Sequence, residues 1–253
     1  MIINASNVDE FLADLFQLQI TGRFVFRGLS HDSQKLPKLI RKFNEHTKYH
    51  LSNSVTPVDY DSQLKEYEIR LLKEFGRYSS QFLSGNQTFI DWVANAQHYG
   101  IPTRLLDWTF NPFKALYFSL FMTKKLPDGH CYQLHQVNLS NHEYQRTIRT
   151  RMPTKYGATI YEYPFLYQYE AFIREKERAL VSSGAKSSSF FCQANHSNAR
   201  IVAQEGLFQI VFGCSSKYSD GIAHPHLLFE PDQVYSITQD VRDLILGKLQ
   251  ILK

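Results

Sequence analysis

The chain has 253 residues, of which 43% are hydrophobic, 14% aromatic and 21% charged. That is enough apolar surface for a packed core and too little charge for a disordered chain, and it excludes collagen and coiled coil. With 28 basic and 24 acidic residues the net charge is +4, which allows a phosphate-bearing partner without requiring one. The cysteines Cys131, Cys192 and Cys214 are odd in number, widely spaced and outside any C-x-x-C pattern, so they form neither a disulfide framework nor a thiolate metal site. A reducing compartment fits best. The N-terminus MIINASNVDE lacks a basic stretch followed by an apolar one, and no segment reaches the roughly 18 apolar residues that span a bilayer. The expectation is a cytoplasmic protein with no membrane partner, folded as one α+β domain over residues 1–253.

In chain order, Ser6 followed by Asp9 fits a capping box, and Val8, Phe11, Leu12, Leu15 and Phe16 then repeat at helical spacing until Gly22. Residues 23–28 read as a strand with Phe24 and Phe26 on one face and Arg23, Val25 and Arg27 on the other. The polar, aperiodic stretch from Leu29 to Pro57 reads as a long connection. Apolar residues at steps of three or four predict a long helix from Tyr60 to Phe82. Thr88 and Asp91 form a second capping box ahead of a short helix over 89–99, which Gly100 and Pro102 stop. A strand up to Thr109 follows, then a helix that Asn111 caps and Pro112 opens. Further strands are expected over His130 to Leu139, Ile160 to Tyr167 and Leu207 to Phe212, a helix over 168–183, and a Ser-rich loop over Ser182 to Ser189.

P-loop, G-x-G-x-x-G, G-x-S-x-G and H-E-x-x-H patterns are absent. His130 with His135, and His224 with His226, lack a third ligand at a suitable spacing, so no metal is expected. The densest polar constellation is AQHYGIPTRLLDWT, residues 96–109. It flanks a Gly/Pro break between helix and strand and aims Asp107 and Thr109 toward the amino end of the next helix, where unpaired N–H groups suit a phosphate or a hydroxyl-rich ligand. A bland reading stays open: Asp107 and Thr109 cap local backbone, while Arg104 pairs with Asp107 inside the fold.

Phe26-Arg27-Gly28, the long central motif, Asn111-Pro112 and Ala115 to Phe118 together resemble the FRG-domain family. Asn198 to Ile201 with Gln204 to Phe208 resemble its closing element, which extends the likeness over about residues 20–212 and leaves the C-terminal tail uncovered. A second resemblance is to the ADP-ribosyltransferase pattern of an arginine ending an early strand, small polar residues leading into a helix, and a glutamate opening a late strand. Arg27, Thr109 and Glu205 occupy those places. The resemblance implies a mainly antiparallel, split sheet with N-terminal helices packed on it. It also implies NAD as substrate, with Arg27 holding a phosphate or ribose, Thr109 ordering the strand edge and Glu205 hydrogen-bonding the ribose. Tyr99 or Tyr117 would stack on nicotinamide. Gly28, Gln97, His98, Thr103, Arg104, Asp107 and Gln204 complete the expected cofactor-binding set.

Asp107-Trp108-Thr109 departs from the usual Ser-rich triplet, and Gln204 competes with Glu205 for the place facing the cleft. The implied activity is an intracellular toxin or anti-phage effector that transfers ADP-ribose to a macromolecule, with an antitoxin or inhibitor protein as a further partner. RNA or DNA is the preferred target because Arg146, Arg149 and Arg151 recur in a short basic run. The alternative is a non-catalytic recognition module whose central motif shapes a pocket for a nucleotide or a protein.

Overall fold

A computed structural model describes residues 1–30, 32–50, 57–79, 88–121, 126–127, 130–145, 164–183, 188–193, 205–212 and 230–251. The early strand, β2 (Phe24–Leu29), lies between β1 (Ile2–Ile3) with α1 (Val8–Thr21) before it and α2 (Lys38–His50) with α3 (Pro57–Ser79) after it. Next come α4 (Phe89–His98), β3 (Leu105–Thr109), α5 (Pro112–Phe121), β4 (Tyr132–Asn138) and β5 (Glu143–Gln145). The remaining elements are α6 (Pro164–Ser183), β6 (Ser188–Cys192), β7 (Gly206–Phe212), β8 (Gln233–Ile237) and α7 (Gln239–Ile251).

Among the described residues the eight strands belong to one mixed sheet in the order β1-β8-β4-β2-β3-β7-β6-β5. β1 with β8 and β5 with β6 are parallel, and every other neighbouring pair is antiparallel. The expected split is therefore not a break. It is a waist: β2 and β3 pair only through Phe26 and Thr109, whereas β2 meets β4 over six residue pairs and β3 meets β7 over five.

Strand alternation sorts the core into layers. On one face, Phe26, Tyr132, Leu134 and Tyr235 pack under α1, α5 and α7, and Leu105, Phe190, Phe208 and Ile210 pack under α4 and α6. On the other face, Val25, Trp108, Val137, Phe191 and Leu207 meet Leu39, Ile40 and Phe43 of α2 and Leu64 of α3. Helices thus cover both sides of the waist. Gly28 makes the closest approach: a Cβ there would lie 1.9 Å from the carbonyl oxygen of Ala115, so only glycine lets α5 lie against β2.

Local chemistry explains the helix ends. Thr88 and Asp91 form the expected capping box, with the Thr88 hydroxyl accepting from the Asp91 N–H and the Asp91 carboxylate accepting from the Thr88 N–H. The Asn111 side chain accepts the N–H groups of Phe113 and Lys114, and Pro112 takes the first helical position. The Ser6 to Asp9 box does not form; Asn7 stands at the N-cap of α1, and Ser6 instead donates to Asn4. At the other end Gly22 adopts the left-handed conformation, at φ +63°.

Three expectations need correction. The long connection contains α2, whose apolar stripe of Leu39, Ile40 and Phe43 is short and set among Lys, Arg and His. Pro164 begins a helix instead of lying in a strand, because its missing N–H costs nothing at a first turn. Ser188 and Ser189, assigned to a loop, begin β6. The C-terminal tail is also structural: β8 joins the sheet between β1 and β4, and Val241 and Ile245 of α7 are buried. Residues 160–163 and 184–187, and the Asp128-Gly129 turn, lie outside the described residues.

Candidate functional site

From the Phe26–Thr109 pair, antiparallel strands place residues 27–29 of β2 opposite the earlier residues of β3, and here the two halves of the sheet part. Arg27 stands at this opening, on the Val25 face that α2 covers. Its Nη2 donates to the Gln34 carbonyl oxygen at 2.7 Å. The Gln34 side chain in turn accepts from the N–H and hydroxyl of Ser30, at 2.8 and 3.2 Å, which fixes the turn after β2. Burial pushes the Arg27 guanidinium down to about 10; the Asp107 carboxylate works against that shift and the Arg41 cation adds to it. Arg27 therefore stays cationic at neutral pH.

Asp107 is exposed between the buried Leu106 and Trp108. Both its oxygens accept from Gln97 Nε2 at 2.9 Å. Gln97 Oε1 accepts from the Thr103 hydroxyl, and the Thr103 carbonyl accepts from the Leu39 N–H at 3.1 Å. Lys38 Nζ donates to the Gly100 carbonyl at 2.9 Å. These bonds tie the end of α4, the start of β3 and the first turn of α2 into one rim. Gly100 allows the turn by adopting φ +91°, a conformation that strains any residue with a side chain. His98 and Tyr99 stand exposed on this turn, with the Tyr99 ring 6.2 Å from that of Phe75.

The structure brings Gln97, Thr103 and Asp107 together, with His98 and Tyr99 on the turn beside them; Asp107 shares the sheet face of Leu105 and Thr109, opposite that of Arg27, and its charge acts on Arg27 across the opening. The structure does not bring Glu205 there. Glu205 takes φ +49°, seldom occupied by a non-glycine residue, and its carboxylate pairs with Lys114 Nζ at 2.6 Å and with Asn111 Nδ2 at 3.5 Å. Those partners sit at the start of α5, on the sheet face that Asp107 shares and that lies opposite Arg27, and they engage the Glu205 carboxylate there. The late strand also runs beside β3, with β3 separating it from β2, so Phe26, Thr109 and Gly206 form one row across the sheet. Thr109 is buried, and its hydroxyl accepts the Asn111 N–H at 3.0 Å, a local turn that leads into α5.

Other expected ligands have structural partners. Arg104 points away from Asp107 to Glu68 of α3: its Nε lies 3.0 and 2.9 Å from the two carboxylate oxygens and its Nη2 also bonds Glu68. The Tyr169 hydroxyl donates to the same carboxylate at 2.6 Å. Burial opposes the Arg104 cation, but Glu68 and Tyr169 together outweigh that opposition and hold it firmly charged; burial and Glu68 raise the Tyr169 phenol well above the usual tyrosine value. Gly28 serves helix packing. Tyr117 stacks on Phe121 at 4.5 Å on the outer side of α5. Gln204, the Asn198 to Ile201 segment, His224, His226 and the three arginines Arg146, Arg149 and Arg151 lie outside the described residues.

Gln34, Arg41 and Lys114 escape a sequence reading because the residues they act on are not marked by spacing: Gln34 and Arg41 act on Arg27 of β2, and Lys114 on Glu205 before β7. Glu68 leaves a signal: it sits in the stripe Leu64, Glu68, Leu71, where a carboxylate on an apolar helix face requires a buried cation.

Among the described residues no group of three or more His, Cys, Asp or Glu side chains could hold a metal ion, and no helix is long and apolar enough to cross a membrane. No curated protein and no solved structure matches the chain. A family model does: residues 22–127, less than half of the chain, match the FRG domain, and that segment contains β2, the waist and the whole 96–109 rim while stopping short of Glu205.

Proposed function

We propose that the chain is an ADP-ribosyltransferase-like enzyme that cleaves NAD and passes ADP-ribose to a macromolecule. The observation that carries this reading is that Arg27 and Asp107 stand on the two faces of the sheet where β2 and β3 part, near enough for the Asp107 charge to act on Arg27. In the reaction the bond between ribose C1′ and the nicotinamide nitrogen breaks, and nicotinamide leaves with the electron pair. A nucleophile on the acceptor then bonds C1′ and releases its proton. Such a path needs an anchored diphosphate and a carboxylate near the developing ribosyl cation. Arg27 supplies the cation. Asp107, exposed and held in place by Gln97, supplies the carboxylate in place of Glu205, whose charge is neutralised by Lys114. Tyr99 offers an exposed ring for stacking.

The test is incubation of the purified protein with labelled NAD together with protein, RNA and DNA fractions. Release of nicotinamide and label in one fraction supports the reading. Unchanged NAD and no labelled product in every fraction overturns it. A second reading is a recognition module that binds a nucleotide without turning it over. The Lys114–Glu205 ion pair favours it, because it occupies the one glutamate that the transferase pattern requires. Saturable NAD binding without nicotinamide release would establish it.

A further inference from the structure

The α2 face of the waist carries a second cation with no role in the fold described so far. Arg41 lies one residue beyond Ile40, which packs into the core shared with Val25 and Leu39. That packing brings the Arg41 guanidinium near enough to Arg27 for its positive field to act on it. Arg41 Nε is shielded from solvent and has no hydrogen-bond partner among the described residues. Arg27 spends one donor on the Gln34 carbonyl, while a guanidinium offers five.

Two cations whose fields reach one another repel, and a buried N–H without an acceptor is destabilising. An anion between them would remove both penalties. We propose that Arg27 and Arg41 form a clamp for a diphosphate group, with Arg41 Nε directed to a phosphate oxygen. A diphosphate fits better than a carboxylate because two guanidinium forks demand at least two sets of acceptor oxygens. Asp107 lies on the sheet face away from α2, so the diphosphate would bind toward α2 and leave Asp107 for the sugar. This deepens the transferase reading by assigning its substrate's diphosphate, and it rests on that reading for the identity of the nucleotide.

The probe is inorganic pyrophosphate, added to the full chain and followed by calorimetry and by thermal denaturation, with Arg41→Gln and Arg27→Gln beside the native protein. Native protein should bind pyrophosphate and gain melting temperature, and each variant should lose about 10-fold or more in affinity, as expected for a charge-assisted hydrogen bond. Without anion, Arg41→Gln should melt at the native temperature or above it, since it removes a repulsion. A purely structural Arg41 would melt lower. Equal affinity of native and Arg41→Gln protein overturns the clamp, as does equal affinity for single inorganic phosphate. Pyrophosphate binding without nicotinamide release would keep the clamp and reject the enzyme. Nicotinamide release with an unchanged KM in Arg41→Gln would reject the clamp and keep the enzyme.

Discussion

Replacing Gly28 by alanine tests the packing at the waist. The new Cβ would stand 1.9 Å from the Ala115 oxygen and 2.9 Å from both the Ala115 carbonyl carbon and the Ser119 nitrogen. All three are backbone atoms of α5, so no rotamer change relieves the clash. The helix has to retreat by roughly 1 Å before the shortest separation reaches about 3 Å. That shift loosens Ala115, Leu116 and Leu120, which are at most 1% exposed, from Phe26 and Leu134. Overpacking of this kind costs about 3 kcal/mol, which for a chain of this length lowers the melting temperature by about 6–12 °C. Thermal and urea denaturation without ligand would measure it. A Gly28→Ala protein with the native midpoint would refute the claim that α5 seats on β2 through this glycine, and would reopen a ligand-facing role for it.

The Arg104–Glu68 pair gives a second expectation: Arg104→Met leaves a carboxylate buried without its cation and should cost about 3–5 kcal/mol. The double variant Arg104→Met, Glu68→Leu should recover much of that loss in urea denaturation; equal loss in both would contradict the ion-pair account. Tyr169 gives a pH dependence. Its folded value is raised, so the stability it contributes is complete below the usual tyrosine value and is lost as pH climbs through the raised one. Denaturation midpoints across alkaline pH should therefore fall less steeply in Tyr169→Phe than in native protein, while at neutral pH that variant should lose about 1–3 kcal/mol with its hydrogen bond to Glu68. Parallel curves for the two proteins would contradict it.

Much of the fold is legible because local signals and global packing agree. The capping residues Thr88, Asp91 and Asn111 set helix starts that the structure keeps, and alternation in β2 puts Phe26 and Arg27 on opposite faces as the sequence reading expects. Agreement fails where the decisive partner is distant in the chain. The apolar stripe of α2 carries meaning only against Val25 and Leu106, and Ile160 to Tyr167 reads as a strand until Pro164 is seen to open a helix. The site divides the same way. The 96–109 segment is contiguous, and its turn geometry is encoded by Gly100 and by the Gln97, Thr103 and Asp107 side chains. The pairing of Glu205 with Lys114 and of Arg104 with Glu68 spans 91 and 36 residues; Glu68 on its apolar helix face asks for a cation, but the sequence does not say which one, and Glu205 gives no such sign.

The most direct test of the waist as the reaction site is the steady-state kinetics of nicotinamide release by Arg27→Ala, Asp107→Asn and Glu205→Gln. Loss of a diphosphate anchor weakens ground and transition states alike, so Arg27→Ala should chiefly raise KM. Loss of the carboxylate that faces the ribosyl cation should lower kcat by about 100-fold in Asp107→Asn. Glu205→Gln, which breaks only a half-exposed ion pair with Lys114, should stay within a few-fold of native turnover. Loss of turnover in Glu205→Gln with native kinetics in Asp107→Asn would contradict the account and move the chemistry to the start of α5.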